Sequence, residues 1–505
     1  PVILVEFLYQ ICNSGGGLAH FIRLTRDYPR FQGGYVWDWQ DKCLLNKTAD
    51  GQSYFAYGGD FNESHTDPEV PLFMTNNGIV LPDLQWKPVA HELRIAYSPV
   101  QIERAQGGKA WEQGEDANRY TIRNLCLNNM RGEVKLVAKL KENGREVLVK
   151  ELELPDVKPL ESADIKLDFG YAPKPGCAYS VDLCLLRKQD SFYATAGESM
   201  AEFWFMLPPG SAKPIEKAAE LPAPAVSEDE FHITVSASGF KAVFNRQKGE
   251  LETLEKEGIQ YIRGGASPCL DRPLSGLDAA AGWGWFDEFA KVRRLKYKTD
   301  RPEVFGSDSS VRLEFPFVYD SEYSINGKIT YTINGSGKMD IGFTIDIDAA
   351  YIALPRVGVE LIVPPGFEKL AYYGCGGNES YPDRLLSAPL GVYGSTVEQQ
   401  HFAFIPPSEN GGHEKTRYLI LENRAGKKLR ISSASPFHFD VHHNTIEDYQ
   451  KARHEHELLR RDESYLHIDA AHSPVGGNMA WSTNLNPDER LKGGRYAIDF
   501  TLEII

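Results

Sequence analysis

No stretch of this 505-residue chain comes near the ~20 consecutive apolar residues that a membrane-spanning helix needs. A surplus of positive charge is lacking too. Against 55 lysines and arginines stand 70 aspartates and glutamates, a net charge of −15, which speaks against nucleic acid and anionic membrane surfaces as partners. Cysteine is scarce: Cys12, Cys43, Cys126, Cys177, Cys184, Cys269 and Cys375 are odd in number, scattered, and form no CxxC pair. That usage indicates free thiols rather than a disulfide framework. It leans towards a reducing compartment and leaves a bacterial cytoplasm or periplasm open. Nucleotide and zinc signatures are missing as well. Gly15-Gly16-Gly17 lacks the GxGxxG spacing and no lysine follows, so it reads as a backbone turn. His442, His443, His454, His456, His467 and His472 lie close together in the sequence, and His454-Glu455-His456-Glu457 invites a metal reading. Its histidines are i, i+2, however, on different sides of a helix, unlike the i, i+4 pair of HExxH. The stretch 445–460 reads instead as an amphipathic surface helix of mixed charge.

What is present is ordinary soluble material, 25% charged and 42% hydrophobic, in a length that calls for two to four domains. The first forty residues organise the rest. Val2-Ile3-Leu4-Val5 is an apolar run of the kind a strand buried on both faces requires. Glu6 closes it, Asn13, Ser14 and three glycines follow, and Leu18, Phe21, Ile22 and Thr25 mark a helix that stops at Pro29. Gly33-Gly34-Tyr35-Val36-Trp37-Asp38-Trp39 reads as the next strand. Strand, helix, strand is a unit of a parallel sheet or barrel, where side chains at the C-terminal ends of strands face the active-site mouth. Glu6 and Trp37 stand at such ends. A glutamate there can equally be a salt-bridged structural residue. Trp39 and Asp38 read as packing and loop residues.

The words ILVEF…NSGGG and QGGYVWDW resemble the last two barrel strands of β-galactosidases of glycoside hydrolase family 2. The resemblance implies that Glu6 is the catalytic nucleophile of a retaining, exo-acting enzyme on terminal β-D-galactosides, and that Trp37 lines the sugar pocket. Tyr57 to Phe61 and Asn77 to Asp83 match further family words, followed by a helix through His91, Glu92 and Leu93. By the same resemblance Asn77 helps to hold a sodium ion and the sugar's 6-hydroxyl. The pair Asn77-Gly78 can also be turn chemistry alone. One departure is plain: three residues after the nucleophile the family carries a histidine that contacts galactose, and here Tyr9 stands in that place. Tyrosine is larger than imidazole and cannot carry its charge.

Barrel sequence is expected over 1–99. Over 100–208 short alternating strands, among them a hairpin around Glu142-Asn143-Gly144, suggest an immunoglobulin-like sandwich. A proline- and alanine-rich linker is expected at 209–226. The β-rich remainder, 227–505, resembles the terminal supersandwich domain of the same enzymes at Phe244 to Gln247, YTINGSGKM, NESYPDR and PSENG. The fold class expected is mainly β and multidomain: a C-terminal piece of a (β/α)8 barrel, an immunoglobulin-like sandwich and a large supersandwich. In the family, a tryptophan on a loop of the last domain reaches the barrel mouth and stacks on the sugar; the candidate is Trp481, with buried packing as the alternative. Only two of eight barrel strands are here, and residue 1 is proline with no signal pattern after it. A missing N-terminal half or partner subunit is therefore expected, which would bring the acid/base glutamate and the magnesium ligands. The resemblance also implies a homo-oligomer. A second function class stays open: a non-catalytic carbohydrate-binding or subunit-association module in which Glu6 is vestigial.

Overall fold

Two periodicities, 3.6 in a few short stretches and 2.0 almost everywhere else, decide the architecture. The computed structural model describes residues 1–63, 71–105, 118–211, 221–237, 239–276, 278, 285–476 and 489–505. At the start, β1 (Val2–Phe7), α1 (Leu18–Asp27) and β2 (Phe31–Val36) form the expected unit, with the strands parallel and Leu4 opposite Gly34. Gly34 is needed for room, since a Cβ there would stand 2.9 Å from the Leu4 carbonyl oxygen. α1 buries Leu18 and Phe21 against the pair, and the Phe7 and Phe21 rings stack at 4.0 Å. β3 (Leu44–Lys47) and β4 (Ser53–Ala56) make a small hairpin. α2 (Pro88–Ala96), opened by a proline that needs no N–H partner, closes the same apolar cluster with Leu93 and Ala96.

One expectation fails here. The run Val2-Ile3-Leu4-Val5 is not buried on both faces: Val2, Ile3 and Val5 are 48%, 49% and 76% exposed. Among the described residues β1 has a single strand neighbour, β2, and no described strand pairs with its other edge.

Between residues 100 and 207 a three-stranded sheet (Val100–Arg104, Arg119–Asn124, Ser162–Lys166) faces a four-stranded one (Val134–Glu142, Arg145–Leu152, Tyr179–Arg187, Ser199–Leu207). Ile102, Tyr120 and Ile122 from the first meet Leu136, Val181, Leu183 and Phe205 from the second in one core, an immunoglobulin-like arrangement. The Asn143-Gly144 hairpin forms, with φ of 49° and 77° at its two turn residues.

Beyond it, a five-stranded sheet begins at Ala225–Glu228, two residues inside the expected linker, and a thirteen-stranded sheet runs to Arg495–Ile504. The two share one apolar core. Met339–Ile347 shows why: Met339, Ile341, Phe343, Ile345 and Ile347 alternate with polar residues and all are buried. The helix expected over 445–460 is only Ile446–Lys451, opened by a Thr445/Asp448 capping box. After it the chain extends so that Arg453 and His454 reach Asp60, at 2.9 and 3.0 Å, and a 3-10 turn, Glu455–Glu457, follows. Two charge-assisted contacts with the N-terminal segment outweigh the helical preference of this exposed stretch.

Candidate active site

Glu6 is half-buried at the C-terminal end of β1. Trp37 stands at the same end of β2, tied across by its N–H to the Phe7 carbonyl at 3.0 Å. The chain turns back after β1 through Leu8 at φ 56°, which buries Tyr9 and brings its phenol onto the Glu6 carboxylate. Burial first, then the charges of Glu6 and Asp38, push the Tyr9 hydroxyl up to about 12, so at neutral pH it is protonated and donates to Glu6. Glu6 and Tyr9 are thus brought together, and Trp37 stands at the end of the adjacent strand.

The loop that follows is locked by the far end of the chain. Asn13 Nδ2 donates to Glu379 Oε1 at 2.7 Å. Arg384 donates to Asn13 Oδ1 (2.8 Å) and the Ser14 carbonyl (3.0 Å) and pairs with Glu379, all of it buried. Glu379 Oε2 in turn accepts the Gly411 N–H at 2.8 Å, and Tyr381 donates to Glu409 Oε1 at 3.0 Å. The words NSGGG, NESYPDR and PSENG are therefore faces of one interface. The three glycines are no anion cradle: Gly15 and Gly16 donate to the Gly476 carbonyl and Gly17 to that of Asp383, each at 2.8 Å. At Gly16 a Cβ would lie 1.6 Å from Asp383 Oδ2. Arg272, fully buried, holds the Ser473 and Pro474 carbonyls at 2.8 and 3.0 Å, so the segment entering the next loop is fixed from both sides. Trp481 itself lies on 477–488, outside the described residues.

Asn77 is buried. Gly78 beside it serves close approach rather than a turn, since a Cβ would meet Asp41 N at 2.2 Å. The segments 38–41 and 77–80 run side by side: Asp38 N donates to the Asn77 carbonyl (2.7 Å), Ile79 N to that of Asp38 (3.0 Å). Asn77 Oδ1 accepts from the ammonium of Lys42 at 2.9 Å and its Nδ2 donates to the Met74 carbonyl at 3.0 Å. The donor set does not fit the sodium ion that the resemblance implies, because a cation already holds the oxygen.

The three nearby aspartates are each engaged. Asp38 pairs with Lys42 at 2.5 Å; burial pushes its pKa up, but Lys42 and the Trp39 N–H outweigh it and hold the group below the usual carboxylate range. Asp41 is buried against Lys87 at 2.8 Å and accepts the Gly78 N–H; desolvation nonetheless raises its pKa. Asp60 binds Arg453 and His454.

Sequence reasoning passed over Lys42 and most of a buried network on the terminal sheet, of which it had only the closeness of His467 and His472 to other histidines. Lys42 sits four residues after Asp38, a spacing that could have flagged it. In the network Arg356 pairs with Asp440 and, at 3.2 Å, with Asp469, while His467 meets Asp440 at 2.8 Å. His438, Asp469 and His472 place ligand-type atoms within 4.8 Å of one another. The two imidazoles stack at 4.2 Å and 15°, so their nitrogens do not converge on one ion, and Arg356 already supplies positive charge to Asp469.

Residues 1–102 match the family described as glycosyl hydrolases family 2, TIM barrel domain, and residues 236–503 match the β-galactosidase small chain. The chain is 28% identical over 525 residues to a β-galactosidase of Vibrio cholerae, covering all of this chain and 48% of that protein. It is 27% identical over 507 residues to one of Streptococcus thermophilus (all of this chain, 47% of that protein). With one of Priestia megaterium it shares 26% over 510 residues (all of this chain, 48% of that protein). The chain spans about half the length of the curated relatives it matches.

Proposed function

The chain belongs to the β-galactosidase small-chain family, and from that membership we propose that it is the C-terminal part of a retaining, exo-acting β-galactosidase with Glu6 as nucleophile. The observation that carries the reading is the end of β1, where a protonated Tyr9 donates to Glu6, with Trp37 at the same end of the neighbouring strand, its N–H on the Phe7 carbonyl. A retaining glycosidase needs two carboxylates about 5–5.5 Å apart. One attacks the anomeric carbon; the other protonates the leaving oxygen and then activates water. Glu6 is the attacker. Asp38, Asp41 and Asp60 are each bound to a cationic side chain, which leaves none as the acid. That carboxylate, with the magnesium ligands, falls to barrel strands outside this chain. The exposed Val2, Ile3 and Val5 on the open edge of β1 are the surface those strands would cover. Tyr9 stands where the resemblance has an imidazole that contacts galactose, and here its hydroxyl donates to Glu6. Trp481 is assigned to stack on the sugar; its loop leaves from Gly476, whose carbonyl is held by Gly15 and Gly16 of the nucleophile loop.

The test is Glu6→Gln in the completed enzyme. It removes most of kcat while substrate still binds, because the near-isosteric amide cannot attack. A fluorosugar that traps the glycosyl-enzyme labels the peptide containing Glu6, and the 505-residue chain alone turns over no nitrophenyl galactoside. Labelling elsewhere, with Glu6→Gln active, reassigns the nucleophile.

A second reading, a carbohydrate-binding module, is favoured by one observation. A cavity of about 260 Å³ between the N-terminal segment and the terminal sheet is lined by Trp86, Tyr393 and Phe402 with Asn378, Gln400 and His401, and by no lysine or arginine among the described residues. Calorimetric binding of galactose to the chain, lost in Trp86→Ala and kept in Glu6→Gln, would favour it over the first.

A further inference from the structure

We propose that the ammonium of Lys42 is the resident cation of the sugar pocket, filling the place at Asn77 where the resemblance puts sodium. The inference rests on the reading of Trp37 and Asn77 as pocket residues. Lys42 Nζ makes three contacts at once: Asp38 Oδ2 at 2.5 Å, Asn77 Oδ1 at 2.9 Å, and the face of Trp37 with 5.6 Å to the ring centroid. Each suits a cation: a carboxylate, an amide oxygen and a π-face.

The arrangement is built into the backbone rather than left to a loose side chain. Lys42 N donates to the Thr75 carbonyl at 3.2 Å, and Asp41 N to that of Val80 at 3.0 Å. The segment carrying the ammonium is thereby laddered to the segment carrying Asn77. The Asn77 amide is saturated, because its nitrogen serves the Met74 carbonyl while its oxygen serves Lys42. The hydrogen bond also fixes which way the amide points, since lysine can only donate. A sodium ion on the same oxygen would face the ammonium at close range. Like charges that near each other exclude one another.

An ammonium differs from a sodium ion in a way that matters for a sugar. It has three N–H vectors, of which Asp38 and Asn77 take two. The third is left to donate to a hydroxyl of a ring lying on Trp37, whereas a metal ion accepts lone pairs from any direction. The completed enzyme therefore binds its sugar with no requirement for sodium, and Lys42 is a substrate-binding residue.

The experiment uses the 505-residue chain and needs no turnover. Thermal melts are compared in sodium, potassium and choline chloride at equal ionic strength for the wild type, Asn77→Ala, Lys42→Met, Lys42→Arg and Lys42→Met/Asn77→Ala. The wild type and Lys42→Arg, each with its own cation, melt alike in all three salts. In Lys42→Met the Asp38 carboxylate and the Asn77 oxygen are stripped, and sodium chloride raises the melting temperature by about 2 °C or more over choline. Adding Asn77→Ala abolishes that gain. A sodium-specific rise in the wild type that Asn77→Ala removes overturns the proposal, and so does a Lys42→Met chain that ignores the choice of salt. Because the readout is stability, failure here is separate from failure of the nucleophile assignment.

Discussion

Replacing Arg384 by methionine should loosen the joint between the nucleophile loop and the terminal sheet more than any other single change at that interface. Arg384 is about 1% exposed and serves three partners: the Ser14 carbonyl, Asn13 Oδ1 and Glu379. Methionine keeps much of the stem's packing against the Tyr381 ring, over which the guanidinium lies at 5.2 Å, and removes the charge. Glu379 is then a buried carboxylate without its cation. Breaking a buried pair from one side costs about 3–5 kcal/mol. Glu379 retains the Asn13 amide at 2.7 Å and the Gly411 N–H at 2.8 Å, so the lower end, about 3 kcal/mol, is the expectation. Neutralising the orphan in Arg384→Met/Glu379→Gln should restore about 2 kcal/mol of it. Urea denaturation of the four proteins of the cycle gives the numbers, with Trp204 as a reporter whose indole donates to the neighbouring Leu385 carbonyl at 2.9 Å. A cost below about 1 kcal/mol, or strict additivity of the two substitutions, would refute the view that this pair holds the loop.

Other consequences are simpler to state. Gly144→Ala should cost about 1–2 kcal/mol and lower the melting temperature, since φ is +77° there and a Cβ would stand 2.6 Å from the Tyr373 ring; Asn143→Gly is the tolerated control. Burial holds the His413 imidazole down to about 3, so the unfolded chain takes up a proton near pH 6.5 that the native one refuses, and stability is lost as pH falls below that value. The gap between wild type and His413→Asn should therefore narrow by about 2 kcal/mol from pH 7 to pH 5 in chemical denaturation; a pH-independent gap would count against it. If Trp481 stacks on sugar, Trp481→Ala should raise KM about five- to thirtyfold in the completed enzyme with little change in melting, whereas a large melting shift at constant KM would make it a packing residue.

Local pattern carried much of this protein. Period-2 alternation in Met339–Ile347 and the Asn143-Gly144 turn need no neighbours to be read, because side-chain direction in a strand and positive φ at a turn are properties of adjacent residues. The same holds for α1, whose apolar spacing and following Pro29 mark its extent. What depends on partners distant in sequence was out of reach. The run Val2-Ile3-Leu4-Val5 has the composition of a buried strand, yet burial belongs to the assembly around a strand, and the described residues offer β1 one strand neighbour. The stretch after Lys451 has helical spacing, but Asp60, almost four hundred residues earlier, pulls Arg453 and His454 out of it. The words NSGGG, NESYPDR and PSENG were legible as signatures, while their meeting in one buried ion pair was not, since hydrogen-bond geometry across 370 residues leaves no periodicity. Lys42 is the sharpest case. Its charge was in the sequence from the start; that it reaches Asp38 and Asn77 at once was decided by two extended segments joined by hydrogen bonds of 2.7–3.2 Å.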